Sequence, residues 1–221
     1  MSRRGSAARI GGLVATLVPI AYFWDYAFMT PLKVLVVFFH EISHGLAAVL
    51  TGGSIVSLKV SSDQSGLACT AGGWRLVVLS AGYLGSFAFG SALILAAAWL
   101  KRPRALSVAM GAALGLVTLL YVRNLFGFAF GALAAAAFLA SVRWLNDLSN
   151  DFLIRVVGVT SCGYAILDIY SDTISRKVCG SDASRLASIT LIPSVVWGVL
   201  WVALSLYGIY WTLKLAAKEE R

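Results

Sequence analysis

The sequence predicts an all-α polytopic membrane protein, with about seven transmembrane helices and a small β-hairpin between the second and third. Two observations carry that prediction. Of the 221 residues, 59% are hydrophobic and only 13% charged, with a mean hydropathy of +0.84, whereas soluble domains are roughly 45–50% apolar. Apolar runs of about 20 residues, the length that crosses a bilayer, also follow one another with little sequence between them. The chain is therefore expected to be one membrane-embedded domain over residues 1–221, with no separate soluble domain.

The first span is expected at 10–30, behind Arg3, Arg4 and Arg9. It continues through Tyr22-Phe23-Trp24 without a small-residue cleavage site, so an uncleaved span is expected rather than a removed signal. The second is placed at 32–52, because the apolar stretch it shares with the first would make about 60 Å of helix, twice the hydrocarbon core. Further spans are expected at 74–100, 105–122, 124–142, 152–174 and 189–213. The basic residues divide evenly between the two faces, so they do not set the orientation. Parity makes spans two and six run in the same direction.

Between spans two and three, Val56, Leu58 and Val60 alternate with Ser57, Lys59 and Ser61, then Asp63-Gln64-Ser65-Gly66 makes a polar turn before Leu67–Thr70. This reads as a β-hairpin whose exposed edge could pair with an extended chain. Gly82, Ser86 and Gly90, Gly111 and Gly115, and Gly127 and Gly131 recur at four-residue spacing, which lets helices approach closely. From Arg143 through Asp147 and Asp151 to Arg155, charges recur along one helical face as ion pairs in an interfacial helix.

The net charge of +8 comes from residues at the ends of apolar runs, such as Lys101-Arg102-Pro103-Arg104. That is membrane anchoring, not a nucleic-acid surface. Cys69, Cys162 and Cys179 form no Cys-x-x-Cys pair, which argues against a thiolate metal site or a disulfide framework.

Chemistry is concentrated in span two. The only two histidines of the chain lie in His40-Glu41-Ile42-Ser43-His44, inside an apolar helix. Residues four apart share a helical face, so both imidazoles can bind one metal while Glu41 reaches its water. Ionisable groups at that depth cost about 2.5–3.5 kcal/mol on insertion scales, which marks the motif as functional. A third protein ligand is needed, and no third histidine exists. Glu219 and Glu220 lie in a charged tail, and Asp182 follows span six. Asp168 and Asp172 sit in an apolar helix and share a face. Asp168, the deeper, is the expected ligand, with Asp172 as the alternative ligand or a partner of a histidine.

With these residues in view, the chain resembles the site-2 protease family of intramembrane zinc metalloproteases. His40, Glu41 and His44 match the family's first element, Leu167-Asp168 its later one, and Ser80-Ala81-Gly82-Tyr83-Leu84-Gly85-Ser86 its small-residue core helix. Asp172, Arg176 and Ser181-Asp182-Ala183 are similar to its B-type branch. The resemblance covers residues 32–100 and 152–185 and leaves 105–142 as an inserted helical pair. It departs from the family at Ile169, where glycine is common, and at Ser86, where asparagine is common. It implies one Zn2+ per chain on His40, His44 and Asp168, with Glu41 catalytic. Ser80, Tyr83 and Ser86 are the implied substrate contacts, and the substrate is a transmembrane protein cleaved within the bilayer. The expected location is a multi-pass position in a membrane, the inner membrane if bacterial. A catalytically inactive metal-binding scaffold or transporter is the alternative.

Overall fold

The computed structural model describes residues 19–20, 22–175 and 180–219. A short 3-10 turn, Ala27–Met29, leads into α1 (Thr30–Leu50), whose first turn holds Pro31, where a missing N–H leaves no bond unmade. The hairpin strands β1 (Ser54–Val60) and β2 (Gly66–Ala71) follow, then α2 (Arg75–Leu100), α3 (Pro103–Tyr121) and α4 (Leu125–Trp144). Next come α5 (Asp147–Tyr170), which widens into a π turn over Ser171–Ser175, the short α6 (Asp182–Thr190), and α7 (Ser194–Glu219).

Among the described residues, six helices are long and apolar enough to cross a membrane, all but α6. Of the span expected at 10–30, residues 10–18 and 21 lie outside the described ones, and 23–29 form turns and the 3-10 turn that precedes α1. Two boundaries differ from expectation for local reasons. Asn146 caps α5 by accepting a hydrogen bond from the Ser149 amide, so the helix starts at Asp147 and the expected charged face is split: Arg143 stays in the last turn of α4, Asp147 pairs with Arg104 at 2.8 Å, and only Asp151 and Arg155 pair along α5, at 2.7 Å. Before α7, Leu191 takes a left-handed φ of 60° and Pro193 follows, so the last span begins at Ser194 instead of 189.

α1 is the most buried of the six spans. α2 runs antiparallel to it, with Phe89 stacked on Phe39 at 5.4 Å and Val78 reaching His44. α5 runs antiparallel to α2 in turn: the Ser161 hydroxyl donates to the Ser86 carbonyl at 2.7 Å, and Gly90 faces Gly158 one turn further on. Consequently α1 and α5 run parallel, and their C-terminal halves meet at one depth. α3 and α4 pack on each other as a helical hairpin beside this core.

The strands pair antiparallel, Val60 opposite Gly66 and Leu58 opposite Ala68. An extra residue between Ile55 and Ser57 breaks the alternation. Leu58 and Val60 are accordingly buried, while Val56, expected on the same face, is 57% exposed. The turn is held by Asp63, whose carboxylate accepts from the Ser65 amide at 3.1 Å and hydroxyl at 2.6 Å.

Candidate metal centre

His40 and His44 project from one face of α1, their ring centroids 4.8 Å apart. Each turns Nε2 toward the same carboxylate oxygen, Asp182 Oδ2, at 3.0 Å from His40 and 2.9 Å from His44. The three ligating atoms lie within 4.8 Å of one another. The orientation of His44 is fixed from behind, since its Nδ1 donates to the Val78 carbonyl at 2.6 Å, which leaves Nε2 with its lone pair toward the centre. Behind His40, Asp168 Oδ2 stands 3.8 Å from Nδ1. Asp182 is the first residue of α6, whose N-cap Ser181 accepts from the Ser184 amide. Burial alone would raise the Asp182 carboxyl, but when both imidazoles are protonated their hydrogen bonds and charge outweigh it and hold the group below the usual carboxylate range.

Space for the imidazoles comes from α2. A Cβ on Gly82 would collide with Nε2 of both histidines, so the glycine is required where the helices press closest to the ligating atoms. One residue on, Tyr83 is fully buried, sets its ring edge-on to His40 at 5.0 Å and donates its hydroxyl to Asp172 at 2.8 Å. Glu41 is buried beside them, and its carboxylate lies so close to Gly66 of β2 that any side chain there would strike it. A cavity of about 1200 Å³ opens over the cluster, lined by His40, Glu41, His44, Tyr83, Asp182 and the whole run Gly66–Thr70 of β2.

The expected site residues are therefore partly rearranged. His40, Glu41 and His44 share the cavity, with Tyr83, Asp168 and Asp172 in its wall. The carboxylate brought to both Nε2 atoms is that of Asp182, not that of Asp168, which stands behind His40 instead. The Ser86 hydroxyl is buried and folds back on the Gly82 and Tyr83 carbonyls, and neither Ser80 nor Ser86 lines the cavity. The signal for Asp182 lies in Ser181-Asp182-Ala183, but membrane depth favours a residue inside a span over one that folds back onto the site.

Two imidazoles and one carboxylate, with room beside them, form a donor set that suits zinc. The model of the peptidase M50B-like family matches residues 13–212. The chain belongs to the M50B-like family. No curated protein and no solved structure matches it. As an M50B-like chain with six membrane-length apolar helices among its described residues, it is a multi-pass membrane protein of the B-type branch of the site-2 proteases. Membership of this family points to a metallopeptidase, and His40, His44 and Asp182 lie near enough to one another to hold a metal ion.

Proposed function

We propose that the chain is a zinc-dependent endopeptidase that cleaves transmembrane protein substrates within or next to their membrane-spanning segments. The observation that carries this reading is the convergence of His40, His44 and Asp182 in a cavity that also contains Glu41 and one edge of β2. His40, His44 and Asp182 would hold the metal, with Asp168 orienting His40. Zinc held there supplies Lewis-acid polarisation of the scissile carbonyl and makes water more acidic.

Everything else is done by the chain. Glu41, in the same cavity as the metal ligands, accepts the proton of the attacking water and returns it to the leaving amine. Amide groups of a helical substrate are already hydrogen-bonded, so the substrate must unwind before its carbonyl reaches the site. β2 offers an edge for the unwound segment: Gly66–Thr70 faces the cavity, and no β1 residue does. Position supplies water. From Gly82, beside the imidazoles, α2 rises about 27 Å to Leu100 and the basic Lys101–Arg104 run. A hydrocarbon core is about 30 Å thick, so the site stands near the opposite interface, where the polar hairpin turn, Arg75 and Arg185 line the same cavity.

The test is zinc content and cleavage of a single-span reporter. Glu41→Gln is expected to keep its zinc and lose about 10²–10⁴ in rate. Asp182→Ala should lose the metal, while Asp168→Ala keeps it with a loss of about 10–100-fold in activity. Undiminished cleavage by Glu41→Gln would refute the role given to Glu41, whereas stoichiometric zinc with no cleavage by the wild-type chain would favour a metal-binding scaffold. The reverse pattern in the two aspartates would return Asp168 to the ligand position.

A further inference from the structure

α3 and α4 contribute no residue to the cavity, yet their connection touches the hairpin at its far edge. Asn124 grips the main chain of Val60 on both sides: its Oδ1 accepts from the Val60 amide at 3.2 Å, and its Nδ2 donates to the Val60 carbonyl at 2.7 Å. The side-chain amide thus makes the two bonds that a neighbouring strand residue would make. Two positions earlier in β1, the Arg123 amide donates to the Leu58 carbonyl at 3.0 Å, and Val122 forms a parallel bridge with Leu58. The α3–α4 connection therefore closes the outer edge of β1 and leaves the free edge to β2.

The register carries this grip into the active site. Val60 pairs directly with Gly66, and Gly66 is the residue pressed against the Glu41 carboxylate. From Asn124 to the general base there are only two intervening residues, Val60 and Gly66. The room for this grip is made on α4, where a Cβ on Gly127 would strike Asn124 Oδ1 and crowd the Val60 amide. The helical pair is itself fastened to the core at its other end. Asn150 of α5 is fully buried and accepts the hydroxyls of Ser107 on α3 at 2.9 Å and Ser141 on α4 at 2.8 Å.

From this geometry we infer that the inserted helical pair is a brace for the substrate-binding strand, and that Asn124 is a positioning residue setting β2 against Glu41 and the metal ligands. The inference rests on the proteolytic reading for its consequence in turnover, but the clamp itself can be read without turnover. Substrate that adds a strand to β2 binds well only while β2 is held in place. Loss of the clamp should therefore weaken substrate binding without disturbing the metal.

The experiment uses the full chain in lipid with Asn124→Ala and, independently, Gly127→Ala, which displaces the amide without removing it. Four quantities are measured: zinc content, inhibition by a small hydroxamate that contacts the metal alone, kcat and KM on a single-span reporter, and amide hydrogen exchange in the hairpin. Zinc content and hydroxamate potency are expected at wild-type values in both variants. KM should rise about tenfold with a smaller change in kcat, the size of effect expected for two half-buried hydrogen bonds lost. Exchange at Val60 and across Leu67–Thr70 should quicken by about tenfold. Wild-type KM and exchange in both variants would overturn the inference, as would loss of zinc together with activity, which marks Asn124 as a folding residue. If the wild-type chain cleaves nothing, the proteolytic reading fails, and hairpin exchange alone decides whether the clamp exists.

Discussion

α1 and α4 are both apolar helices of membrane-spanning length, and they live in opposite surroundings. α4 is the most apolar of the six spans, yet only 28% of its spanning window is buried in the protein; α1, which carries two histidines, a glutamate and a lysine, is 78% buried. In water the order would be reversed. Lipid chains are as apolar as leucine, so an apolar face gains nothing by leaving them, whereas ionisable groups gain greatly. The helix that holds the chemistry is wrapped by protein, and the helices that brace it face the bilayer.

Substitutions can break or sharpen that contrast. The largest effect is expected at Gly82→Val, which fills the space against both Nε2 atoms; zinc content should fall below about a tenth of wild type with cleavage lost, read by metal analysis of the purified chain. Next is Phe39→Ala in α1, 2% exposed and stacked on Phe89. It should cost about 3 kcal/mol in an unfolding titration in mixed micelles, since lipid cannot fill the hole. Asn150→Ala strands the Ser107 and Ser141 hydroxyls and should cost about 1–2 kcal/mol in the same titration. The smallest effect belongs to α4 itself. Leu133 is 71% exposed, and Leu133→Ala should change stability by less than about 0.5 kcal/mol. A cost at Leu133 near that at Phe39 would mean that α4 is covered by another protein surface, and the contrast between the two helices would collapse.

Some features were legible because they are local. His40 and His44 fall on one helix face through a four-residue spacing, and the hairpin shows in the alternation ending at Leu58 and Val60. Val56 was misplaced because one extra residue in β1 turns the strand over, and no composition signal marks such a bulge. Gly82 and Gly127 read correctly as close-packing residues; what they pack against, a pair of imidazoles and a clamping amide, did not show.

The sequence by itself determined that the chain is helical and membrane-embedded, where the two histidines and the glutamate sit, and which family they belong to. Only the tertiary structure decided which carboxylate joins them. Asp182 reaches His40 across 142 residues of chain, from a helix that crosses nothing and folds back over the site. It also gave the α3–α4 pair a task, through one asparagine 64 residues from its partner. The physical reason is the same in both cases. Periodicity encodes which residues share a face of one element, whereas contacts between elements depend on where loops return the chain, and a single polar side chain at the point of return leaves no pattern.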